Sequence, residues 1–365
     1  VGSMKLYLAS VDIDKPVPTL WGTDSCDQAR LLVRTGAVPL DEIWIPLDAS
    51  RSAFAARDLK PWLEGYIPVQ PRTHTPGHQP LPAVSVVVCT RDRPNSLAQC
   101  LEALGHLRYP EFEVIVVDNA SQTEDTRRVV EASGFRYVRE DRPGLDWARN
   151  RGWISAKHDL VAYVDDDACV DPDWLAGIGT GFADPEIGAV TGLVLPAEVE
   201  TYAQHLFEDY GGMSKDLAPK RFCAEKLTQN QLIRAQDIGV GANMAFRKSV
   251  LRELDGFDTA LDVGTPSCGG GDLEMLHRVL AAGKDIAYQP TALVRHRHRR
   301  DIQGLYRQIR NNGRGFGVYL MTLWRKGTVR KTALLRFAIW NWGRWLLSRP
   351  LKKLFGRHRL PMRML

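Results

Sequence analysis

Apolar residues between positions 83 and 300 form short continuous runs that alternate with segments of helical spacing. The runs AVSVVVC (83–89), EVIVV (113–117) and DLVAYV (159–164) are rich in β-branched residues, which is typical of strands buried on both faces. Segments such as NSLAQCLEAL and LDWARNRGWISA lie between them and predict helices. This alternation predicts an α/β domain with a doubly wound sheet, whose ligands bind at the carboxyl ends of its strands.

Outside this core the pattern is looser. Residues 5–68 hold the short apolar runs LYLASV and DEIWIPL around a helical-looking stretch, DQARLLVRTG, and predict a small N-terminal α/β domain. The proline-rich stretch 69–82 predicts a linker. GANMAFRKSVLREL (241–254) reads as a strand that runs into a helix, and a glycine-rich loop precedes a further helix near Asp272. We therefore expect a catalytic domain over 83–300 and a basic helical tail over 301–365.

Charge is divided unevenly along the chain. The 365 residues carry a net charge of +5, but the segment from Arg295 to Leu365 holds 19 Lys and Arg residues against one acid, Asp301. Such a tail favours an anionic partner: a lipid surface, a nucleic acid or a phosphorylated substrate. Its apolar stretches, 316–324 and 332–348, are too short or too interrupted to span a membrane. With Trp340, Trp342 and Trp345 among them, they predict amphipathic helices on a membrane surface or packed on the body.

The cysteines and the first residues of the chain indicate the cellular compartment. Six cysteines without a CxxC pair predict neither a zinc knuckle nor a disulfide framework. No signal peptide is recognised. We expect a reducing, cytoplasmic location, with the tail attaching the protein peripherally to the inner membrane face.

Three adjacent carboxylates, Asp165, Asp166 and Asp167, follow the strand DLVAYV. Carboxylates this close repel one another, and a bound cation relieves the repulsion. An Asp-x-Asp pair suits Mg²⁺ or Mn²⁺, which would also contact a substrate phosphate. A solvated acidic turn is the alternative interpretation.

Three other features could carry chemistry. Asp272 follows three glycines at the start of a helix, where it either caps the helix or meets a ligand. His296 and His298 alternate within RHRHRR, so either one could ligate a metal, or the segment could be a solvated basic strand. Arg149 in GLDWARNRG is either a phosphate contact or a surface charge.

Taken in order, these segments resemble the motifs of family 2 glycosyltransferases. The matching segments are VSVVVCTRDRP, VIVVDNAS, GLDWARNRG, AYVDDDACVDPDWL, GANMAFRKSVLRELDGFD and the stretch 264–300. The resemblance covers residues 83–300 and implies a glycosyltransferase-A (GT-A) fold with a doubly wound mixed sheet. It implies inverting, metal-dependent transfer from a nucleotide-diphosphate sugar, most simply a UDP-sugar, with Mn²⁺ or Mg²⁺ as cofactor. The acceptor would be a glycan, lipid-linked or a small molecule.

The resemblance also implies roles for individual positions. On the nucleotide-sugar side it places Thr90, Arg91, Asp92, Asp118, Asn119, Arg149, Asp165 and Asp166. The metal would be bound by Asp165 and Asp167 with either His296 or His298, and Asp272 would be the general base. On the acceptor side it suggests Trp174, Asn243, Gly270, Gly271 and Glu274.

The chain departs from the family pattern at two places. The common Glu-Asp-x-Asp pattern reads Gly271-Asp272-Leu273-Glu274 here, so the acid before the expected base is missing. Processive synthases carry Gln-x-x-Arg-Trp, but no Trp follows Arg310, so we expect transfer of single sugars.

Two other functions are rivals to sugar transfer. A sugar nucleotidyltransferase is the first rival, although the loop CTRDRPNSL lacks the glycines that would hold a triphosphate. A catalytically silent lipid- or nucleic-acid-binding protein is the second. No nucleic-acid partner is expected, because RNA-binding motifs with paired aromatic residues are absent.

Overall fold

The computed structural model describes residues 5–66, 81–344 and 347. The strands are β1 (Lys5–Asp12), β2 (Leu20–Trp21), β3 (Cys26–Thr35), β4 (Val38–Pro46), β5 (Ala53–Phe54), β6 (Val84–Thr90), β7 (Phe112–Asn119), β8 (Arg136–Glu140), β9 (Leu160–Asp165), β10 (Ala168–Val170), β11 (Ile187–Pro196), β12 (Lys220–Phe222), β13 (Asn243–Arg247) and β14 (Asp285–His296). The helices are α1 (Ala56–Leu63), α2 (Pro94–Gly105), α3 (Asp125–Ser133), α4 (Leu145–Ser155), α5 (Trp174–Gly181), α6 (Tyr202–Tyr210), α7 (Gln229–Ile233), α8 (Lys248–Glu253), α9 (Gly271–Ala281), α10 (Ile302–Lys326) and α11 (Lys331–Arg336). A π-helical turn, Phe337–Gly343, follows α11.

The larger sheet has its strands in the order β10-β14-β11-β13-β9-β6-β7-β8, with β12 also paired to β14. Strands β9, β6, β7 and β8 are parallel, whereas β13 runs antiparallel between β9 and β11. The prediction of a doubly wound mixed sheet is therefore confirmed. Because the parallel strands point the same way, the ends of β6, β7 and β9 meet at one edge of the sheet.

Both faces of this sheet are covered, as the continuous β-branched runs predict. Successive side chains of a strand point to opposite faces, so Val86 and Val88 pack under α2, α3 and α5, while Val87 packs under α4. The second face also receives α9 and the helices α10 and α11, through Tyr319, Leu323 and other apolar side chains. The expected basic tail thus packs on the domain over the part that is described.

The N-terminal region forms a separate three-stranded sheet, β1-β3-β4, with α1 packed on it. The prediction of a helix over DQARLLVRTG is wrong, because this stretch is strand β3. Leu31 and Val33 face the region's own core, but Leu32 packs on the opposite side against leucines of β11 and β14. Burial on both faces hides the two-residue period of a strand and leaves a run of apolar residues that resembles a helix.

Ion pairs join the two sheets at the docked face. Arg30 bonds Glu42 within its own sheet (Nε to Oε1, 2.9 Å) and Glu208 of α6 (Nη1 to Oε2, 2.6 Å). Arg34 bonds Asp171 at 2.6 Å. All of these side chains are mostly buried, so the N-terminal region is packed against the larger sheet along β3.

Parts of the expected organisation fall outside the described residues. These are the linker 69–82 apart from residues 81 and 82, Trp345, the side chain of Trp342, and all of the tail beyond residue 344 except residue 347. Among the helices that are described, none is long and apolar enough to cross a membrane.

Candidate active site

Two carboxylates and one imidazole converge where β9 ends. β10 pairs antiparallel with the last residues of β14, with Ala168 opposite His296. This register brings His296 Nε2 to 3.0 Å from an Asp167 oxygen and to 3.7 Å from an Asp165 oxygen. One ligand atom from each of Asp165, Asp167 and His296 lies within 4.8 Å of the others. We refer to these three residues as the Asp-Asp-His triad.

The charges within the triad are strongly coupled. Burial disfavours the charged form of His296, but its hydrogen bonds to Asp165 and Asp167 outweigh this and raise its pKa to about 9. Burial likewise opposes ionisation of Asp167, yet the hydrogen bond and charge of His296 hold its pKa well below the usual range. The protonated imidazole therefore supplies the positive charge between the carboxylates. A divalent cation could replace that proton, and oxygen ligands with one imidazole fit Mn²⁺ or Mg²⁺.

Asp166, the middle acid, points away from the triad. Its carboxylate accepts hydrogen bonds from the Thr90 hydroxyl at 2.6 Å and from Arg93 at 3.0 Å. Burial raises the pKa of Asp166 to about 6, with Arg93 acting in the opposite direction. These bonds tie the turn after β9 to the end of β6. Thr90 and Asp166, both expected on the donor side, are buried and bonded to each other in this conformation.

Asp118 and Asn119, at the end of β7, are also internal. The Asp118 carboxylate accepts from Tyr137 at 2.7 Å and from Arg139 at 2.9 Å, and it is 1% exposed. Asn119 accepts from the amide of Gly144 at 2.7 Å and donates to a backbone carbonyl. Asp118 and Asn119, both expected on the nucleotide side, therefore have their side chains bonded within the protein in this conformation. They hold the neighbouring loops in place, and Arg139 is the half-exposed group at that position.

Charged side chains line a pocket of about 370 Å³ beside the triad. Arg91 and Asp92 are exposed after β6, and Asp92 has a positive φ of 54° and accepts from the Gln122 amide at 2.7 Å. The pocket itself is lined by residues 92–96, Asp167 and residues 297–301. Its basic groups are Arg93, Arg297, Arg299 and Arg300. Sequence reasoning overlooked these arginines as site residues, although RHRHRR was the visible signal for three of them.

The two histidines have different surroundings. His298 Nε2 lies 3.0 Å from Glu208 Oε1, and its ring packs on Phe207 with the centroids 4.6 Å apart. Glu208 is the same carboxylate that bonds Arg30 of the N-terminal sheet. The structure therefore brings His296, and not His298, to the two aspartates.

Arg149 and Asp272 meet at Gly241 on the other side of the site. The Asp272 carboxylate accepts from the Gly241 amide at 2.9 Å. A Cβ at Gly241 would lie 2.7 Å from Arg149 Nη2 and 3.0 Å from Asp272 Oδ2, so both charged groups crowd the same backbone position. Arg149 is buried and bonds Asp146 at 2.8 Å. The partly exposed carboxylate in this group is Asp272, in the first turn of α9.

Three of the residues expected on the acceptor side lie in the interior. The Trp174 indole donates to Asn243 at 2.9 Å, and the Asn243 amide donates to the carbonyls of Leu193 and Ala292. Both side chains are fully buried. Glu274 is 1% exposed and bonds Arg278 and Lys326, which fixes α9 to α10. None of these three side chains is accessible to a ligand in this conformation.

The glycines before α9 allow close packing. Gly270 has a φ of 106°, and a Cβ there would lie 2.9 Å from the Gly315 carbonyl oxygen of α10. At Gly271 a Cβ would overlap the carboxylate of Asp146. Asp146 is a buried site residue that sequence reasoning missed. Its only sequence signal was an acid in the first turn of the helix that carries Arg149.

Comparisons with known proteins relate this chain to a sequence family and to a fold. The model of the family described as Glycosyl transferase family 2 matches residues 85–255. The chain is 30% identical over 229 residues to an N-acetylglucosaminyltransferase of Rhizobium meliloti (strain 1021), covering 59% of this chain and 51% of that protein. It is 26% identical over 189 residues to a glucosyl-dolichyl phosphate glucuronosyltransferase of Haloferax volcanii, covering 48% of this chain and 56% of that protein. The chain spans about half the length of these curated relatives.

The structure is similar to that of a mannosyltransferase from Pyrobaculum calidifontis, solved in complex with GDP-Man and Mn²⁺. The similarity has a TM-score of 0.51 at 20% sequence identity and covers 69% of this chain and 68% of that one. At this identity the likeness shows the fold alone, and that fold is GT-A.

Proposed function

Residues 85–255 belong to the family 2 glycosyltransferases and lie within a GT-A fold, and on this premise we propose that the chain transfers single sugars from a nucleotide-diphosphate donor to an acceptor hydroxyl with inversion. The observation that carries the proposal is the Asp-Asp-His triad beside an arginine-lined pocket at the carboxyl edge of the sheet. A UDP-sugar is the simplest donor.

The triad and the pocket suit a diphosphate. Asp165, Asp167 and His296 would hold Mn²⁺ or Mg²⁺, which when bound offsets negative charge that develops on the leaving diphosphate. Arg93 and Arg299 lie 3.2 and 3.9 Å from Asp167 and line the same pocket, where they can contact phosphate oxygens directly. The pocket therefore pairs positive side chains with the one group of the donor that is strongly anionic.

Asp272 is the proposed general base. An acceptor hydroxyl is a weak nucleophile, so a carboxylate within hydrogen-bond reach must take its proton as the oxygen attacks the anomeric carbon. The new carbon–oxygen bond forms as the bond to the diphosphate breaks, and the electron pair leaves with the nucleoside diphosphate. Direct displacement at one centre inverts the anomeric configuration. Asp272 suits the role because it is partly exposed and its Oδ2 is held by the Gly241 amide.

Calorimetry with UDP, GDP, CDP and dTDP, with and without Mn²⁺, tests the donor site. We expect one nucleotide to bind only with Mn²⁺, and Asp167→Asn to weaken Mn²⁺ binding at least about tenfold. Asp173→Asn is the matched control, because Asp173 pairs with Arg108 outside the triad. Failure of every nucleotide to bind folded protein would overturn the donor assignment.

The rate of nucleoside diphosphate release tests the general base. Asp272→Asn should retain nucleotide binding but release nucleoside diphosphate from the donor about 100-fold more slowly.

We also propose that the helical tail attaches to an anionic membrane surface. Apolar side chains exposed there include Met321, Leu335, Ile339, Trp340 and Leu347. Exposed bases lie among them at Arg325, Arg330, Lys331 and Arg336. Apolar side chains interleaved with bases fit the interface of a bilayer that contains acidic lipids.

Vesicle flotation tests the attachment. The full chain should float with vesicles of phosphatidylglycerol and phosphatidylcholine, and Ile339→Ser with Trp340→Ser should reduce the floating fraction severalfold. Trp21→Ser is the control, because Trp21 is equally exposed but lies in the N-terminal region. Equal flotation of all three proteins would contradict the assignment of this surface.

A further inference from the structure

Asp146 is a buried carboxylate with one unused oxygen. It lies in the first turn of α4 and is 1% exposed. Its Oδ1 accepts from Arg149 at 2.8 Å, whereas its Oδ2 has no hydrogen-bond partner among the described residues. An unbonded buried carboxylate oxygen is costly. Buried, incompletely bonded carboxylates are concentrated at functional sites.

The space in front of that oxygen is provided by Gly271. A Cβ at position 271 would lie 2.8 Å from Asp146 Cγ, 3.1 Å from Oδ1 and closer still to Oδ2. These three carboxylate atoms are the nearest neighbours that such a Cβ would meet. The Asp146 carboxylate and a side chain at position 271 therefore cannot occupy this space together. The carboxylate fills the volume that a side chain on residue 271, directly before Asp272, would take.

Asp146 also determines where Arg149 lies. The guanidinium is held by Asp146 through Nη1, and its Nη2 lies 2.7 Å from the position that a Cβ on Gly241 would take. The amide of the same Gly241 donates to Asp272 Oδ2. Asp146, Arg149 and Asp272 thus form a short row of alternating charge. The first two are buried, and the third is partly exposed in the first turn of α9.

We propose that Asp146 is a positioning residue for Asp272: it holds Arg149 beside that carboxylate and takes the volume that a side chain at 271 would fill. The inference rests on the proposed function, in which Asp272 accepts the acceptor proton. When Asp146 is ionised it offsets part of the Arg149 charge. Asp272 then faces a weaker positive field and takes up a proton more readily.

The groups that face Asp146 make its own charge sensitive to pH. They are Arg149 on its own helix, Asp262 from the loop before α9, and Asp272 on α9. Burial raises the pKa of Asp146 to about 7, the charge of Arg149 lowers it, and the two aspartates raise it further. Asp262 is occupied in accepting backbone amides at the start of α4, that of Asp146 among them at 2.8 Å. The net charge of the row formed by Asp146, Arg149 and Asp272 therefore changes near neutral pH.

The first test is the rate of nucleoside diphosphate release from a donor panel of UDP-glucose, UDP-N-acetylglucosamine and GDP-mannose, with Mn²⁺ and with water as acceptor. Asp146→Asn keeps the shape but cannot ionise. We expect its kcat to fall about three- to tenfold with KM for the donor unchanged, and the rise of kcat through pH 7 to disappear. Asp141→Asn, an exposed acid nearby, is the control. An unchanged kcat and pH profile in Asp146→Asn would overturn the proposal.

A second test needs no substrate. Gly271→Ala should lower Tm by about 5 °C in the wild-type background, because the new methyl group meets the Asp146 carboxylate. In an Asp146→Ala background the same change should cost almost nothing, because the three atoms that it would meet are gone. Equal effects in the two backgrounds would show that Asp146 does not occupy the space of residue 271, and would contradict the inference.

A third variant tests whether a carboxylate at position 271 can replace that of Asp146. Asp146→Ala combined with Gly271→Glu returns a carboxylate to the same volume from the neighbouring helix. We expect it to regain at least half of the kcat lost in Asp146→Ala, and no recovery in a folded double variant would count against the proposal. If wild-type protein released no nucleoside diphosphate from any donor, the proposed function would fail. The steric coupling between positions 146 and 271 would still be measurable.

Discussion

The buried carboxylate of Asp146 predicts a specific pH dependence of stability. Its pKa is raised to about 7 in the folded protein, first by burial, whereas the usual value is 3.8. Between these two values the folded state keeps a proton that the unfolded state has lost. The folded state then binds more protons than the unfolded state, so the free energy of unfolding falls as pH rises from about 4 to 7 and is level above.

The magnitude follows from the size of the shift. The difference between a pKa of 3.8 and one of about 7, at roughly 1.4 kcal/mol per pH unit, corresponds to about 4 kcal/mol of unfolding free energy lost between acidic and neutral pH. Asp146→Asn stays neutral at every pH and should not show this loss. Its free energy of unfolding, relative to the wild type, should therefore rise with pH by up to about 1.4 kcal/mol per unit between pH 5 and 7.

Urea unfolding at pH 5, 6, 7 and 8 measures this difference. Titrating groups remote from Asp146 contribute alike to both proteins, so the difference between variant and wild type reports on Asp146 and the charged groups that face it. Asp141→Asn should show no such trend, because Asp141 is exposed. A difference that stays flat from pH 5 to 8 would refute the reasoning, since it would mean that Asp146 is ionised in the folded protein throughout.

Three further predictions concern packing. Arg30→Met should destabilise the protein by about 2–3 kcal/mol in chemical denaturation, because two mostly buried glutamates lose their partner. Trp174→Phe should cost about 1–3 kcal/mol in the same assay by leaving the Asn243 oxygen unbonded in the core, and no loss would mean that this bond adds nothing. Gly152→Ala should lower Tm, because its Cβ would overlap a valine of β6, whereas Gly105→Ala has open space and should not.

Much of the architecture could be predicted from the chain alone. Strands buried on both faces read as continuous β-branched runs, and this signal located β6, β7 and β9. It failed at β3, where Leu32 packs against the larger sheet while Leu31 and Val33 pack in their own core. Only docking of the two sheets makes the outer face of β3 apolar, so a pattern read along one segment could not separate strand from helix.

The residues of the candidate site likewise divide into those that local sequence could name and those that only tertiary packing brings together. Local sequence named Asp165, Asp167 and Asp272, because acids next to strand ends and helix starts stand out against apolar surroundings. It could not choose between His296 and His298, because the choice depends on the pairing of β10 with β14 and on Glu208 of a distant helix. The family resemblance placed Trp174 and Asn243 on the acceptor side, and tertiary packing encloses both side chains in this conformation.

What the sequence by itself determined is the kind of chemistry: which acids, bases and glycines are available, and at which ends of which elements they stand. What only the tertiary structure decided is which of them meet. Asp146 and Gly271 are 125 positions apart, yet the carboxylate of one fills the side-chain space of the other. Short-range periodicity reports whether a side chain is buried, but the partner of a buried charge is set by how helices cross, and that information is not local.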